Sequence, residues 1–92
     1  MNKATYFTCK NCSVCKALLP KIDTHFAANY SELEFVVSNV ENEPKLAADY
    51  QVFTIPVLII QFEGKEHFRF VRNFSTQEID EKLKRTYELM FG

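Results

Sequence analysis

The run Val52-Phe53-Thr54-Ile55-Pro56-Val57-Leu58-Ile59-Ile60 limits what this chain can become more than any other stretch. Read with the two-residue period of a strand, it is apolar toward both faces. Such a strand needs cover on both sides. A chain of 92 residues provides that cover by placing helices on opposite faces of one sheet. That length suits one core and one domain, taken here as residues 1–92. The longest strongly apolar stretch, Ile55 to Ile60, is far shorter than the roughly 20 residues a membrane helix needs. We therefore expect no membrane association. Nine Phe and four Tyr supply core bulk in the absence of Trp.

The remaining elements follow from periodicity and from start and stop signals. Ala4 to Thr8 reads as a strand rich in Thr and aromatic residues. From about Ser13 to Tyr30 the spacing of Val14, Leu18, Ile22 and Phe26 predicts a helix. Pro20 removes one backbone donor and is expected to kink that helix without ending it. Leu33 to Val37 reads as a second strand. Asn42 to Tyr50 reads as a short helix, with Asn42 as cap and Pro44 in the first turn. The Val52–Ile60 run is the third strand. His67 to Val71 alternates polar and apolar, and the Glu63-Gly64-Lys65 turn joins it to the third strand as a hairpin. Ser75-Thr76-Gln77-Glu78 is a capping box, and Ile79, Leu83, Tyr87 and Met90 form the stripe of a last helix. The order β-α-β-α-β-β-α combines a parallel pair, from the strand–helix–strand start, with an antiparallel hairpin. This is an α/β fold: a four-stranded mixed sheet flanked by three helices.

The three cysteines all lie between positions 9 and 15. A disulfide framework would be spread along the chain, so clustering points to local chemistry. Cys12-Ser13-Val14-Cys15 falls between the first strand and the first helix. Unpaired N–H groups and the positive end of the helix dipole favour a thiolate there. Cys12 is thus the candidate nucleophile, with a lowered pKa, and Lys10 and Lys16 add positive charge. Cys15, one turn further on, is the candidate resolving thiol. No metal site is expected from the two histidines, since His25 lies mid-helix and His67 on a strand.

The segment Cys12-Ser13-Val14-Cys15-Lys16-Ala17-Leu18-Leu19-Pro20 resembles the active site of the thioredoxin-like family and the kinked helix behind it. Thr54-Ile55-Pro56-Val57 is similar to that family's second landmark, a cis-proline before a core strand. The resemblance implies the thioredoxin-like fold and a thiol–disulfide oxidoreductase that reduces protein disulfides. It implies that Pro56 is cis and faces the cysteine pair, and that the Ile55 backbone contacts the substrate. It also places Ser13, Val14 and Arg72 on the substrate side. The chain departs from the family in several places. It lacks the usual additional first strand and helix, which makes it glutaredoxin-sized. Asn11 stands where Trp is usual, Ser13-Val14 replaces Gly-Pro, Tyr6 aligns with a buried acid, and Arg72 aligns with a glycine. These changes bear on substrate and reduction potential.

Two alternatives belong to other classes. Cys9, Cys12 and Cys15 share a spacing found in iron–sulfur sites, which would make a metal- or cluster-binding module; it lacks a fourth ligand. A non-enzymatic interaction domain would have no use for two thiols. Cys9 could also act as an auxiliary third thiol. No cofactor is required, because the thiols carry the electrons. The implied partners are a disulfide-containing protein and a recycling reductase. A net charge of −1 gives no field toward nucleic acid. Met1 to Tyr6 has one Lys and no following apolar segment, so a cytoplasmic monomer is expected.

Overall fold

The computed structural model describes residues 2–92. Its elements are β1 (Lys3–Thr8), α1 (Ser13–Asn29), β2 (Glu34–Asn39), α2 (Pro44–Asp49), β3 (Val57–Phe62), β4 (Lys65–Val71) and α3 (Thr76–Phe91). The strands form one sheet in the order β2-β1-β3-β4. β1 is parallel to β2, as a strand–helix–strand unit requires, and antiparallel to β3. β3 and β4 form the expected antiparallel hairpin. Glu63 and Gly64 make its turn, both with positive φ, the conformation that matches strand twist in a two-residue loop.

Side chains on alternate positions of β1 and β3 feed two cores. Ala4 and Tyr6 of β1, with Leu58, Ile60 and Phe62 of β3, pack against Ile22 and Phe26 of α1 and Ile79 and Leu83 of α3. On the opposite face, Phe7, Val57 and Ile59 pack against Ala47 of α2 and Val52. All six residues of β3 are buried, so the apolar stretch from Val57 is covered on both faces, whereas Phe53 in the loop before it is exposed.

Several boundaries differ from the sequence reading. The third strand begins at Val57 and not at Val52, since Val52 to Pro56 forms a loop. Proline cannot donate to a ladder, and the chain bends over Thr54 to Pro56 before the strand begins. β2 extends to Asn39 because its register with β1 continues through Thr8. Asn42 does not cap α2: Glu43 occupies the cap position, its side chain makes no cap bond, and Pro44 opens the helix. Instead the Glu43 carboxylate accepts from Ser38 Oγ, at 3.0 Å. Tyr30 follows α1 and its N–H bonds to the Phe26 carbonyl at 2.8 Å. Pro20 lies within an unbroken α1. The cap of α3 is half of the expected box: Ser75 Oγ accepts from Glu78 N–H at 3.1 Å. Met90 is exposed, and Phe91 packs against the core in its place.

Candidate active site

The ends of three strands converge where α1 begins. Phe7 lies opposite Val57 in the β1–β3 register. Val57 in turn lies opposite Val71 in the β3–β4 register. The residues just beyond these, Cys9 to Cys12 after β1, Pro56 before β3 and Arg72 after β4, therefore share one end of the sheet. The Arg72 N–H donates to the Pro56 carbonyl at 2.8 Å and ties the last two together.

Cys12 is the N-cap residue of α1, with φ −98° and ψ 104°. Its Sγ accepts the Cys15 backbone N–H at 3.2 Å. Cys12 and Cys15 are disulfide-bonded, with their Cα atoms 5.2 Å apart. The two are unequal. Cys12 is half-buried and Cys15 is fully buried. An attacking thiol must be reached from outside, whereas a resolving thiol need reach only its neighbour. The start of α1 supplies Cys12 Sγ with a directed N–H donor.

Beneath the pair lies Tyr6, fully buried on β1. Its hydroxyl donates to the Cys15 carbonyl at 3.0 Å. Burial pushes the Tyr6 hydroxyl up to about 12, so it stays a neutral donor. At this position the chain carries a group that fixes the backbone of Cys15. The sequence marked the substitution but gave no sign of this hydrogen bond, which depends on Tyr6 and Cys15 meeting across the β1–α1 packing.

Ile55 is half-buried and Pro56 buried, and the Ile55–Pro56 peptide bond is cis. The loop leading to them is held by Arg69 of β4, which sequence reading passed over. Its guanidinium donates to the Tyr50 carbonyl at 2.6 Å and to the Gln51 carbonyl at 3.2 Å. Glu66 accepts from the same guanidinium at 2.9 Å, and this hydrogen bond holds the Glu66 carboxyl below its ordinary value.

Ser13 and Val14 are both exposed between the cysteines. Val14 lines a groove of about 420 Å³ with Ala17, Leu18, Lys21, Asn73 and Phe74, so the segment after β4 faces the first turns of α1. Lys16 is exposed, and its N–H donates to the Cys12 carbonyl at 3.1 Å. Lys10 is exposed too, and its N–H donates to the Glu41 carboxylate at 2.9 Å. Arg72 is exposed with φ 68°, the left-handed region. A side chain other than glycine costs about 1–2 kcal/mol there.

Cys9 is a half-buried free thiol just past β1. The cluster-binding alternative needs Cys9, Cys12 and Cys15 to converge. Among the described residues no three His, Cys, Asp or Glu side chains are grouped to hold a metal ion. Cys9 is a free thiol, and Cys12 and Cys15 are bonded to each other.

The family model described as Thioredoxin matches residues 4–85. The chain is 30% identical over 87 residues to the thioredoxin-like protein YdfQ of Bacillus subtilis, covering 95% of this chain and 77% of that protein. Thioredoxin 1 of Thermosipho africanus has a similar structure, with a TM-score of 0.86 and 38% identity over 98% of this chain and 99% of that one. The thioredoxin of Fasciola hepatica gives a TM-score of 0.74 at 27% identity, covering 96% of this chain and 79% of that one. With the match running from β1 into α3 and a close-spaced cysteine pair at the strand-to-helix turn, this chain belongs to the thioredoxin family and is a thiol–disulfide oxidoreductase.

Proposed function

We propose that the reduced protein reduces disulfides of other proteins, with Cys12 as nucleophile and Cys15 as resolving thiol. The observation that carries this reading is the asymmetry of the pair: a reachable Cys12 capping α1 and a buried Cys15 one turn behind it. The Cys12 thiolate attacks one sulfur of the substrate disulfide. A Cys12–substrate disulfide forms and the other substrate sulfur leaves as a thiolate, which takes a proton. Cys15, deprotonated, then attacks Cys12 Sγ. The second substrate thiol leaves and the Cys12–Cys15 disulfide closes. Two electrons and two protons have passed to the substrate. A reductase must return them to the pair.

Ile55, Pro56, Ser13 and Val14 form the surface on which the substrate lies, and Lys16 adds positive charge beside the thiolate. Every group used by the exchange comes from one copy, which supports action as a monomer. A dithiol reductant is useful where glutathione and its reductases keep thiols reduced, which favours the cytoplasm. No helix among the described residues is long and apolar enough to cross a membrane.

Insulin reduction tests the assignment. The wild type should reduce insulin disulfides when supplied with a chemical reductant, and Cys12→Ser should fall to the uncatalysed rate. Full activity in Cys12→Ser would remove Cys12 as nucleophile. Stoichiometric zinc or a cluster absorbance in the purified, reduced protein would favour the metal-binding alternative.

A further inference from the structure

Arg72 is a charged side chain in a place where the backbone asks for none. Its φ of 68° serves to bring its N–H onto the Pro56 carbonyl, and glycine would do that without strain. Two other non-glycine residues share this conformation for local reasons: Gln51 follows the end of α2 and Glu63 belongs to the hairpin turn. Nothing in the fold accounts for the arginine itself. The side chain is exposed and, among the described residues, makes no ion pair or hydrogen bond. A strained residue at the mouth of a reactive site points to a task outside the fold.

The surroundings define the task. Lys10 and Lys16 flank the cysteine pair, and Lys21 lines the groove that Val14 and Asn73 share. None of these lysines is ion-paired among the described residues. The α1 N-terminus adds its own partial positive charge. Two carboxylates stand at the margins: Glu41, which takes the Lys10 N–H, and Glu78, at the far side of the groove. The chain as a whole is at −1, so the positive rim is local and not a consequence of a basic protein.

We propose that Arg72 is a specificity residue that selects protein disulfides flanked by acidic side chains, its guanidinium meeting a carboxylate beside the substrate disulfide. This rests on the reductase reading above. An arginine fork accepts a carboxylate in two parallel hydrogen bonds, and its fixed charge steers acidic partners toward the thiolate.

The test uses three synthetic peptides, identical except that the intramolecular disulfide is flanked by Glu, Gln or Lys pairs. Each is mixed with pre-reduced protein freed of reductant, and the rate of peptide thiol formation is read. Each turnover oxidises the Cys12–Cys15 dithiol to its disulfide and converts the peptide disulfide to two thiols. At low ionic strength the wild type should reduce the Glu peptide roughly threefold to tenfold faster than the Lys peptide. Arg72→Lys, which keeps the charge but not the fork, should keep only part of that preference, Arg72→Gln should bring the ratio within about twofold, and Arg72→Glu should invert it. Molar salt, with a Debye length of about 3 Å, should abolish the preference. Equal rates on all three peptides, a preference surviving in Arg72→Glu, or one surviving molar salt would each overturn the role of Arg72 and leave the reductase reading standing. Failure to reduce any peptide would overturn both.

Discussion

Arg72 and Tyr6 are single positions where this chain spends stability or hydrogen bonds to shape its reactive end. Replacing Arg72 by glycine removes a left-handed side chain without disturbing the N–H bond to Pro56. Glycine also gains freedom in the unfolded chain, which offsets part of the relief. Arg72→Gly should therefore be more stable than the wild type by about 0.5–1 kcal/mol. Urea unfolding checks this, and a lower midpoint would mean that the guanidinium makes a contact that holds the fold. Both residues also mark where single positions were legible. Tyr6 and Arg72 stood out in the sequence as substitutions within a recognised pattern. What Tyr6 bonds to and what conformation Arg72 adopts were not legible, because each depends on a partner that only the packed fold brings near.

At the scale of elements, α1 and α3 are joined by more than apolar packing. His25 Nε2 lies 2.8 Å from Asp80 Oδ1, and the Tyr30 hydroxyl donates to the same oxygen. The His25 ring also packs edge-on to Tyr30. Burial pushes the Asp80 carboxyl up, but hydrogen bonds from His25 and Tyr30 outweigh it and the net shift is downward. A carboxyl held low in the fold stabilises it above its ordinary pKa of 3.8, and that contribution fades as pH falls through the lower folded value. Asp80→Asn should thus be destabilised at pH 6, and the deficit should shrink steadily below pH 3.8, where the wild-type carboxylate also becomes protonated. Equal deficits at pH 6 and pH 2 in urea titrations would show that charge at Asp80 is not what joins the helices. The sequence placed His25 mid-helix and gave no sign of this contact, since a spacing of 55 positions to Asp80 leaves no local trace.

Element boundaries show the same division. Periodicity placed all seven elements in order, because helix and strand repeats are local properties of the chain. It missed the start of β3, where the apolar run is continuous across Pro56 and only the sheet register distinguishes loop from strand. It also misassigned the α2 cap, since Asn42 is a good capping residue by type but lies one position too early.

For the whole molecule, the fold was the most legible feature. The doubly covered apolar strand demanded helices on both faces, and the α1/α3 and α2 layers provide them. The reactive pair was legible because its chemistry depends on sequence-local features, a two-residue spacing and a helix start. The rim around it was less so: Asn73, Phe74 and Lys21 reach the groove beside Val14 only through the packing of α1 against the segment after β4.

The exchange turns on the order of the two cysteines, and trapping the mixed disulfide tests that order directly. In Cys15→Ser the resolving thiol is gone, so attack on a disulfide peptide should stop at a stable adduct. Peptide mapping by mass spectrometry should find that adduct on Cys12 in Cys15→Ser, and no comparable adduct in Cys12→Ser. An adduct on Cys9, or one that forms on Cys15 in Cys12→Ser as readily as on Cys12 in Cys15→Ser, would contradict the account.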